Sequence, residues 1–214
     1  LFRRPELILP MKCKYHILAC LLLVLSYRAQ GEIINVCQDC SISSVRAGIA
    51  MAGNGDTVQV DGGIYYEHGI VITESITLLG KNQPVIDARL KGEIITVSAN
   101  QVTIEGLTLR NVGTSYLEDR AAIRVRRAQY YNLQYNRIEN GFFGIYLERA
   151  SNGLVANNII EGQAVEEMSS GNAIHLWYSN RVTIEDNIVK GHRDGIYLEF
   201  VNESFIGCNI SVGH

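Results

Sequence analysis

The sequence is poor in proline, tryptophan and methionine, with 3, 1 and 3 residues in a chain of 214, whereas glycine occurs 20 times. Charged residues make up only 19% of the chain, a composition that is not typical of intrinsic disorder. An excess of basic charge is also absent, because the formal net charge is −3. We therefore expect neither nucleic acid nor an anionic membrane as a partner. The length fits one domain with a sizeable core.

The amino-terminal segment has the pattern of an export signal. Residues 1–10 precede Met11 and are interpreted as leader sequence. Basic residues follow, then an apolar run over 17–25 and small residues before Glu32, a run too short to span a bilayer. A lipoprotein cysteine at Cys20 is the alternative, although the apolar run continues beyond it. We expect cleavage before Glu32 and a mature protein that works outside the cytoplasm.

A repeat dominates the remainder of the chain. Similar segments begin 22, 29 and 22 residues apart, and self-similarity at this period indicates a solenoid. The segments are AIRVRRAQYYNLQYNRIENG (122–141), GIYLERASNGLVANNIIEGQ (144–163), AIHLWYSNRVTIEDNIVKGH (173–192) and GIYLEFVNESFIGCNISVGH (195–214), with IITVSANQVTIEGLTLRNVG (94–113) in register one unit earlier.

Each unit contains the alternation of a strand with one buried face. The alternating apolar pairs are Ile123 and Val125, Ile145 and Leu147, Ile174 and Leu176, and Ile196 and Leu198. A second short strand is marked by Leu133, Val155, Ile184 and Ile206. Because no repeat has a 3.6-residue period, we predict coils of strand and turn alone, forming an all-β, right-handed parallel β-helix.

Two columns of equivalent residues mark corners of the coils. Equivalent residues should lie about 4.8 Å apart, and stacked side-chain amides can hydrogen-bond to one another and to turn backbone. We therefore assign a structural ladder to Asn136, Asn158, Asn187 and Asn209. A second corner, where positive φ is expected, carries Gly162, Gly191 and Gly213.

The two ends of the solenoid differ in sequence. Residues 42–52 predict a short amphipathic helix, with Ser43 or Ser44 as N-cap, that covers the amino-terminal end. The last unit finishes at His214 without a cap. We accordingly assign 1–31 to leader and signal peptide and 32–214 to a β-helix domain that is incomplete at its carboxyl terminus.

The longer repeat units carry extra residues at one corner. The insertions lie around 113–120 and 164–171, which would place two loops about 10 Å apart on the same side. Insertions on one face of a solenoid are often a binding face. Drift at a tolerant corner explains them equally well.

Several strings resemble one known family. They are GNAIHLW (171–177), RDGIYLEF (193–200), GDTVQV (55–60), ITLLG (76–80) and VTIEGLTLRN (102–111). Together they resemble the NosD family, periplasmic β-helical proteins that assist the maturation of nitrous oxide reductase, the copper enzyme of denitrification. The resemblance covers residues 33–214. It implies a partner ABC transporter, delivery of copper or sulfur to the copper–sulfide centre, a location peripheral to the membrane, and no established catalytic residues.

Copper delivery would require histidine, methionine or cysteine ligands. The strongest pair is His192 and His214, which share one column, and Met168 lies in the loop just before this region. Two polar residues exposed at a turn are the alternative interpretation of this pair. A C-x-x-C pair could also bind metal, although in an oxidising compartment we favour a local disulfide. The weak metal candidates are His175, His192, His214, Met168, Cys37 and Cys40.

An aromatic column is predicted on the outer surface. His175 should lie between Tyr146 and Tyr197, with Trp177 in the next outward column. These residues could dock a partner or a sugar ring, or could simply pack across strands. We treat Tyr146, Trp177 and Tyr197 as candidate binding residues.

The alternative function is a polysaccharide-binding or polysaccharide-modifying β-helix: a lyase, hydrolase or epimerase. Such an enzyme needs converging acids. Glu139 and Glu161 share a column, but Lys190 follows them. The sequence therefore favours a non-catalytic maturation factor.

Overall fold

The chain winds through parallel strands that stack coil upon coil. The computed structural model describes residues 31–115, 117–163 and 171–213. All strand pairs in these ranges are parallel, and the strands form three sheets of 8, 7 and 6 strands. The predicted right-handed parallel β-helix is confirmed.

The strands are numbered in chain order, and from β2 onwards successive strands pass from the first sheet to the second and then the third. The first sheet contains β1 (Ile33–Val36), β2 (Thr57–Val60), β5 (Thr77–Gly80), β8 (Thr103–Glu105), β11 (Asn132–Gln134), β14 (Ser151–Ala156), β17 (Asn180–Glu185) and β20 (Phe205–Gly207). The second contains β3 (Ile64–Tyr65), β6 (Val85–Asp87), β9 (Thr108–Arg110), β12 (Arg137–Glu139), β15 (Ile159–Glu161), β18 (Ile188–Lys190) and β21 (Ile210–Val212). The third contains β4 (Ile70–Ile72), β7 (Ile95–Val97), β10 (Ala121–Arg126), β13 (Phe143–Glu148), β16 (Asn172–Trp177) and β19 (Asp194–Glu199).

Inward-facing apolar residues form one continuous core. Ile123, Ile145 and Ile174 are fully buried and follow one another along the third sheet. In the last described coil, the equivalent side chains are more exposed: Ile206 is 40% exposed, whereas Ile184, one coil earlier, is fully buried. Burial therefore depends on the neighbouring coils, as in other solenoids.

Helix α1 (Val45–Met51) lies at the amino-terminal end of the stack. The Ser44 hydroxyl accepts a hydrogen bond from the backbone N–H of Ala47, so Ser44 is the N-cap that the sequence offered as one of two. Val45 joins the core cluster of the first coils. A Cβ at Gly48 would lie 2.5 Å from Val36, so glycine is required for the helix to pack this closely. The predicted capping helix is thus confirmed.

Two features of the coils differ from the prediction. Each regular coil contains three strands, whereas the sequence pattern predicted two. The three-residue strands of the second sheet were missed because each buries a single residue and so shows no alternation. The segment 94–113 also departs from the gapless register. Ile95 pairs with Ile123 but Thr103 pairs with Asn132, so the later coil has one residue more between these strands.

The asparagine column forms a hydrogen-bonded ladder. The Oδ1 atom of Asn158 accepts from the backbone N–H of Asn136 at 3.0 Å, and the Oδ1 of Asn187 accepts in the same way from Asn158. The Asn158 amide also donates to the carbonyl of Leu133, and Asn209 continues the series. The ladder therefore fixes one corner of every coil that it joins.

The glycine corner follows a different rule from the one expected. Gly191 and Gly213 have φ near 65°, but Gly162 has no positive φ. A Cβ at Gly162 would lie 2.6 Å from the Gly191 carbonyl oxygen and 2.7 Å from the His192 ring. Glycine is needed there for space and not for backbone conformation.

Candidate functional site

The corner between the second and third sheets is where the longer connections leave the coils. One connection joins β9 to β10 over 111–120 and the other joins β15 to β16 over 162–171. The structure describes the first except residue 116, and the second only at 162–163 and 171. The insertions predicted around 113–120 and 164–171 belong to these connections, although most of the second loop lies outside the described residues.

A cavity of about 190 Å³ opens between the bases of these connections. Its polar lining comes from Thr114, Asn140, Gln163 and His192, and the ring of Phe142 forms part of the apolar wall. Close approach of the backbone shapes the wall, since a Cβ at Gly171 would lie 2.5 Å from the Phe142 carbonyl oxygen. The corner that the sequence marked by its insertions therefore contains a pocket of small-molecule size.

His192 was expected to be exposed at a turn, and this is wrong. Only 2% of the residue is exposed, because its ring lies against the backbone at Gly162 and closes one side of the cavity. Its predicted partner His214, and Met168 in the second loop, lie outside the described residues. Of the predicted ligands His192, His214 and Met168, the structure therefore describes only His192.

His175 lies in the predicted column, between Tyr146 and Tyr197. Its expected exposure is wrong, because only 9% of the residue is accessible. The imidazole contacts the rings of Phe143, Tyr146 and Tyr197 at centroid distances of 5.5, 4.7 and 5.1 Å. Tyr146 is itself buried, since the outer face of the third sheet carries a second, smaller apolar cluster.

A polar relay fixes the His175 ring from the other side. The Asn172 amide nitrogen lies 2.9 Å from His175 Nδ1, and its carbonyl oxygen accepts from Arg193, which pairs with Asp194. Because Arg193 holds the amide carbonyl, the amide nitrogen must be the donor to Nδ1. In the neutral ring the proton therefore resides on Nε2. Burial lowers the pKa of His175 and so favours this neutral form.

The next outward column is more open and more charged. Trp177 lies between Glu148 and Glu199, and the Arg149 guanidinium lies 5.1 Å from its ring centroid. Tyr197 is 41% exposed. Of the three aromatic candidates, Trp177 is therefore half-buried and Tyr197 exposed in this structure, whereas Tyr146 is buried.

Arg124 forms ion pairs with two carboxylates on the outer face of the third sheet. It contacts Glu93 at 2.8 Å and Glu148 at 3.1 Å, and Arg126 pairs with the same Glu148 at 3.3 Å. Burial alone would lower the pKa of Arg124, but the two carboxylates outweigh it and raise that pKa. Arg126 and Glu148 thus form an ion pair across adjacent coils.

The candidate metal ligands that the structure describes are engaged in other interactions. No group of three or more histidine, cysteine or acidic residues that could hold a metal occurs in 31–115, 117–163 and 171–213. Cys37 and Cys40 form a disulfide, the alternative favoured by the sequence, so neither offers a thiolate. The Nδ1 atom of His175 is occupied by the Asn172 amide.

Sequence reasoning missed the residues that hold the site in place. Asn172 begins β16, Phe143 begins β13 and Arg193 precedes β19, whereas Thr114 and Asn140 line the cavity. The available signal was positional, since Phe143, Asn172 and Asp194 form one outward column in the repeat. The residues predicted from the sequence do not include this column.

Comparison with known proteins identifies the family to which this fold belongs. A family model described as right handed beta helix region matches residues 93–213, more than half of the chain. The chain belongs to the right-handed β-helix family. Within the residues that the structure describes, no helix is both long and apolar enough to cross a membrane.

Two curated relatives show that this β-helix protein is similar in sequence to proteins named NosD. It is 30% identical over 132 residues to the "Probable ABC transporter binding protein NosD" of Pseudomonas aeruginosa, an alignment covering 61% of this chain and 31% of that protein. The protein of the same name from Stutzerimonas stutzeri is 28% identical over 132 residues, covering 61% and 30%. The match thus spans about a third of the length of these relatives.

Solved structures of pectin methylesterases show a more distant likeness. A complex with hexasaccharide VII has a TM-score of 0.40 and 14% identity, covering 78% of this chain and 66% of that one. The Aspergillus niger enzyme in penultimately deglycosylated form has a TM-score of 0.30 and 12% identity, covering 84% and 87%.

Proposed function

We propose that this β-helix protein is a periplasmic accessory factor of the NosD type, exported by a cleavable signal peptide. In this role it acts with an ABC transporter during maturation of the copper–sulfide centre of nitrous oxide reductase. The single observation that carries the proposal is its similarity to two proteins named as probable ABC transporter binding proteins.

The proposed docking surface is the open part of the third sheet's outer face. Trp177 and Tyr197 present aromatic surface there, and Arg149 stacks beside Trp177. Tryptophan, tyrosine and arginine are the residue types that most often carry the binding energy of protein interfaces. The relay through Asn172 and Arg193 stiffens the coil beneath them.

The proposed role is non-catalytic. The column of acids that an enzyme might use is neutralised, because Arg137 contacts both Glu139 and Glu161 at 2.5 Å. Glu148 is likewise shared between two arginines. Both relatives, moreover, are named as binding proteins.

Direct copper handling is a separate proposal, and it concerns His192 together with Met168 and His214. An anaerobic Cu(I) titration against a competing chelator would test it, with the triple alanine variant as comparison. Tight binding that is lost in the variant would support the proposal. Equal binding by both proteins, or none by either, would contradict it.

Transporter docking is tested by co-purification. The tagged mature protein would be added to detergent-solubilised membranes of Stutzerimonas stutzeri grown under denitrifying conditions, and captured proteins would be identified by mass spectrometry. We expect ABC transporter subunits with the wild type, and about tenfold less with Trp177→Ala or Tyr197→Ala. Tyr135→Ala is the matched control, since this tyrosine is 58% exposed at a different corner. Failure to capture any transporter subunit, or equal capture by all variants, would contradict the proposed function or its surface, respectively.

A further inference from the structure

The corner cavity differs chemically from the surfaces around it. Its described lining contains no aspartate, glutamate, lysine or arginine. Several charged side chains of the neighbouring surface pair with one another: Asp87 with Arg110, and Glu139 and Glu161 with Arg137. An anion would need a cationic lining and a metal ion would need carboxylates or thiolates, so the described lining suits neither.

The polar groups of the cavity are held in position by the fold. The amide nitrogen of Asn140 donates to Asn111 Oδ1 at 3.0 Å, and Asn111 in turn donates to Asp87 at 2.9 Å. This chain of amides fixes the orientation of Asn140 and leaves its carbonyl oxygen as the end that can accept from a ligand. The buried His192 ring forms a second fixed polar wall.

An aromatic ring stands beside these groups. Phe142 lines the cavity and packs edge-on against Phe143 at a centroid distance of 5.1 Å, which ties it to the outer apolar cluster. Thr114 and Gln163 supply a hydroxyl and a second amide from the two connections. One apolar ring with several neutral donors and acceptors is complementary to a sugar ring, which has C–H faces and a rim of hydroxyl groups.

We infer that the corner cavity binds one neutral sugar residue, with Phe142 against the ring face and Thr114, Asn140 and Gln163 hydrogen-bonded to its hydroxyl groups. The volume of about 190 Å³ is below the usual range for drug-sized ligands, which limits the site to a single residue or the end of a glycan. This inference does not depend on the proposed transporter role.

Saturation-transfer NMR on the mature protein tests the inference. The probes are glucose, galactose and N-acetylglucosamine with their tetrasaccharides, beside glucuronate and glucosamine as charged counterparts. We expect a neutral sugar to bind with a dissociation constant on the order of 1 mM. Thr114→Val and Gln163→Ala should each weaken it about threefold to tenfold by removing one hydrogen bond.

Two controls keep the result interpretable. Gln134→Ala, on the first sheet, should bind as the wild type does. Gln163→Trp should abolish binding by filling the cavity from the loop base, without altering a buried residue. The inference is overturned if no neutral sugar binds, if a charged counterpart binds more tightly, or if the cavity variants match Gln134→Ala.

Discussion

Replacing Asn158 by alanine should reveal how much the asparagine ladder stabilises the coils. The Asn158 side chain is fully buried. Its Oδ1 accepts from the backbone N–H of Asn136, and its amide donates to the carbonyl oxygens of Leu133 and Ala156 at 2.9 and 3.0 Å. Alanine removes the side-chain partner of all three backbone groups, and the Ala156 carbonyl keeps another donor, the backbone N–H of Tyr135 at 3.3 Å.

The magnitude follows from the cost of unpaired buried groups. Each buried donor or acceptor left without a partner costs about 1–3 kcal/mol. The carbonyl groups can shift and regain part of their hydrogen bonding, so the total stays below the sum of three full losses. We expect the free energy of unfolding to fall by about 3–5 kcal/mol. Because a chain of this size loses about 2–4 °C in Tm for each kcal/mol, the melting temperature should drop by roughly 6–20 °C.

Asn209 provides the matched control within the same column. It makes the equivalent bonds to Asn187, Ile184 and Gly207, but it is only half-buried, so water can replace them. Asn209→Ala should cost about 1 kcal/mol. Urea unfolding followed by circular dichroism would measure both variants.

The reasoning would be refuted by equal losses at Asn158 and Asn209. It would also fail if Asn158→Leu, which fills the volume without the hydrogen bonds, were as stable as the wild type. In that case the stabilisation would come from packing and not from the amide ladder.

Other perturbations test the outer face and the core. Arg124→Met should lower the free energy of unfolding by about 2–4 kcal/mol in urea titrations, because Glu93, with its side chain 18% exposed, loses its cation and Glu148, 13% exposed, keeps only Arg126. Burial lowers the pKa of His175 below 6.5, so the unfolded chain takes up a proton that the folded chain refuses, and stability should fall as the pH drops from about 7 to 5. His175→Gln should show a smaller fall in the same pH series. Tyr131→Phe should raise the free energy of unfolding by about 1 kcal/mol, since the Tyr131 hydroxyl is buried with no hydrogen-bond partner in the part of the chain that the structure describes.

A different result would contradict each of these three predictions. An unchanged Arg124→Met would mean that the carboxylates are already solvated. Parallel pH curves for the wild type and His175→Gln would mean that the histidine charges equally in both states. A destabilised Tyr131→Phe would mean that its hydroxyl has a partner.

The coil register was predictable because stacking demands it. An inward residue such as Ile145 must follow Ile123 and precede Ile174, or a coil would expose its apolar face. The asparagine ladder was predictable for the same reason, since an amide is useful at that corner only when another lies above or below it.

The environment of the outward residues was not predictable from alternation. A period of two residues says that Tyr146 and His175 leave the core, but not what covers them outside. Phe143, from the same outward face, packs on both rings and buries them. His192 was misplaced for a related reason, because its burial depends on the glycine at Gly162 in the coil below.

The corner between the second and third sheets has an evolutionary consequence. Seven extra residues in one connection leave the strands on either side in register, as the pairing of Ile145 with Ile174 demonstrates. A lineage can therefore lengthen, shorten or exchange the connections beside the cavity without recoding the core. Selection for a new ligand would act on a few residues at this corner, while the columns of the coil keep the fold that presents them.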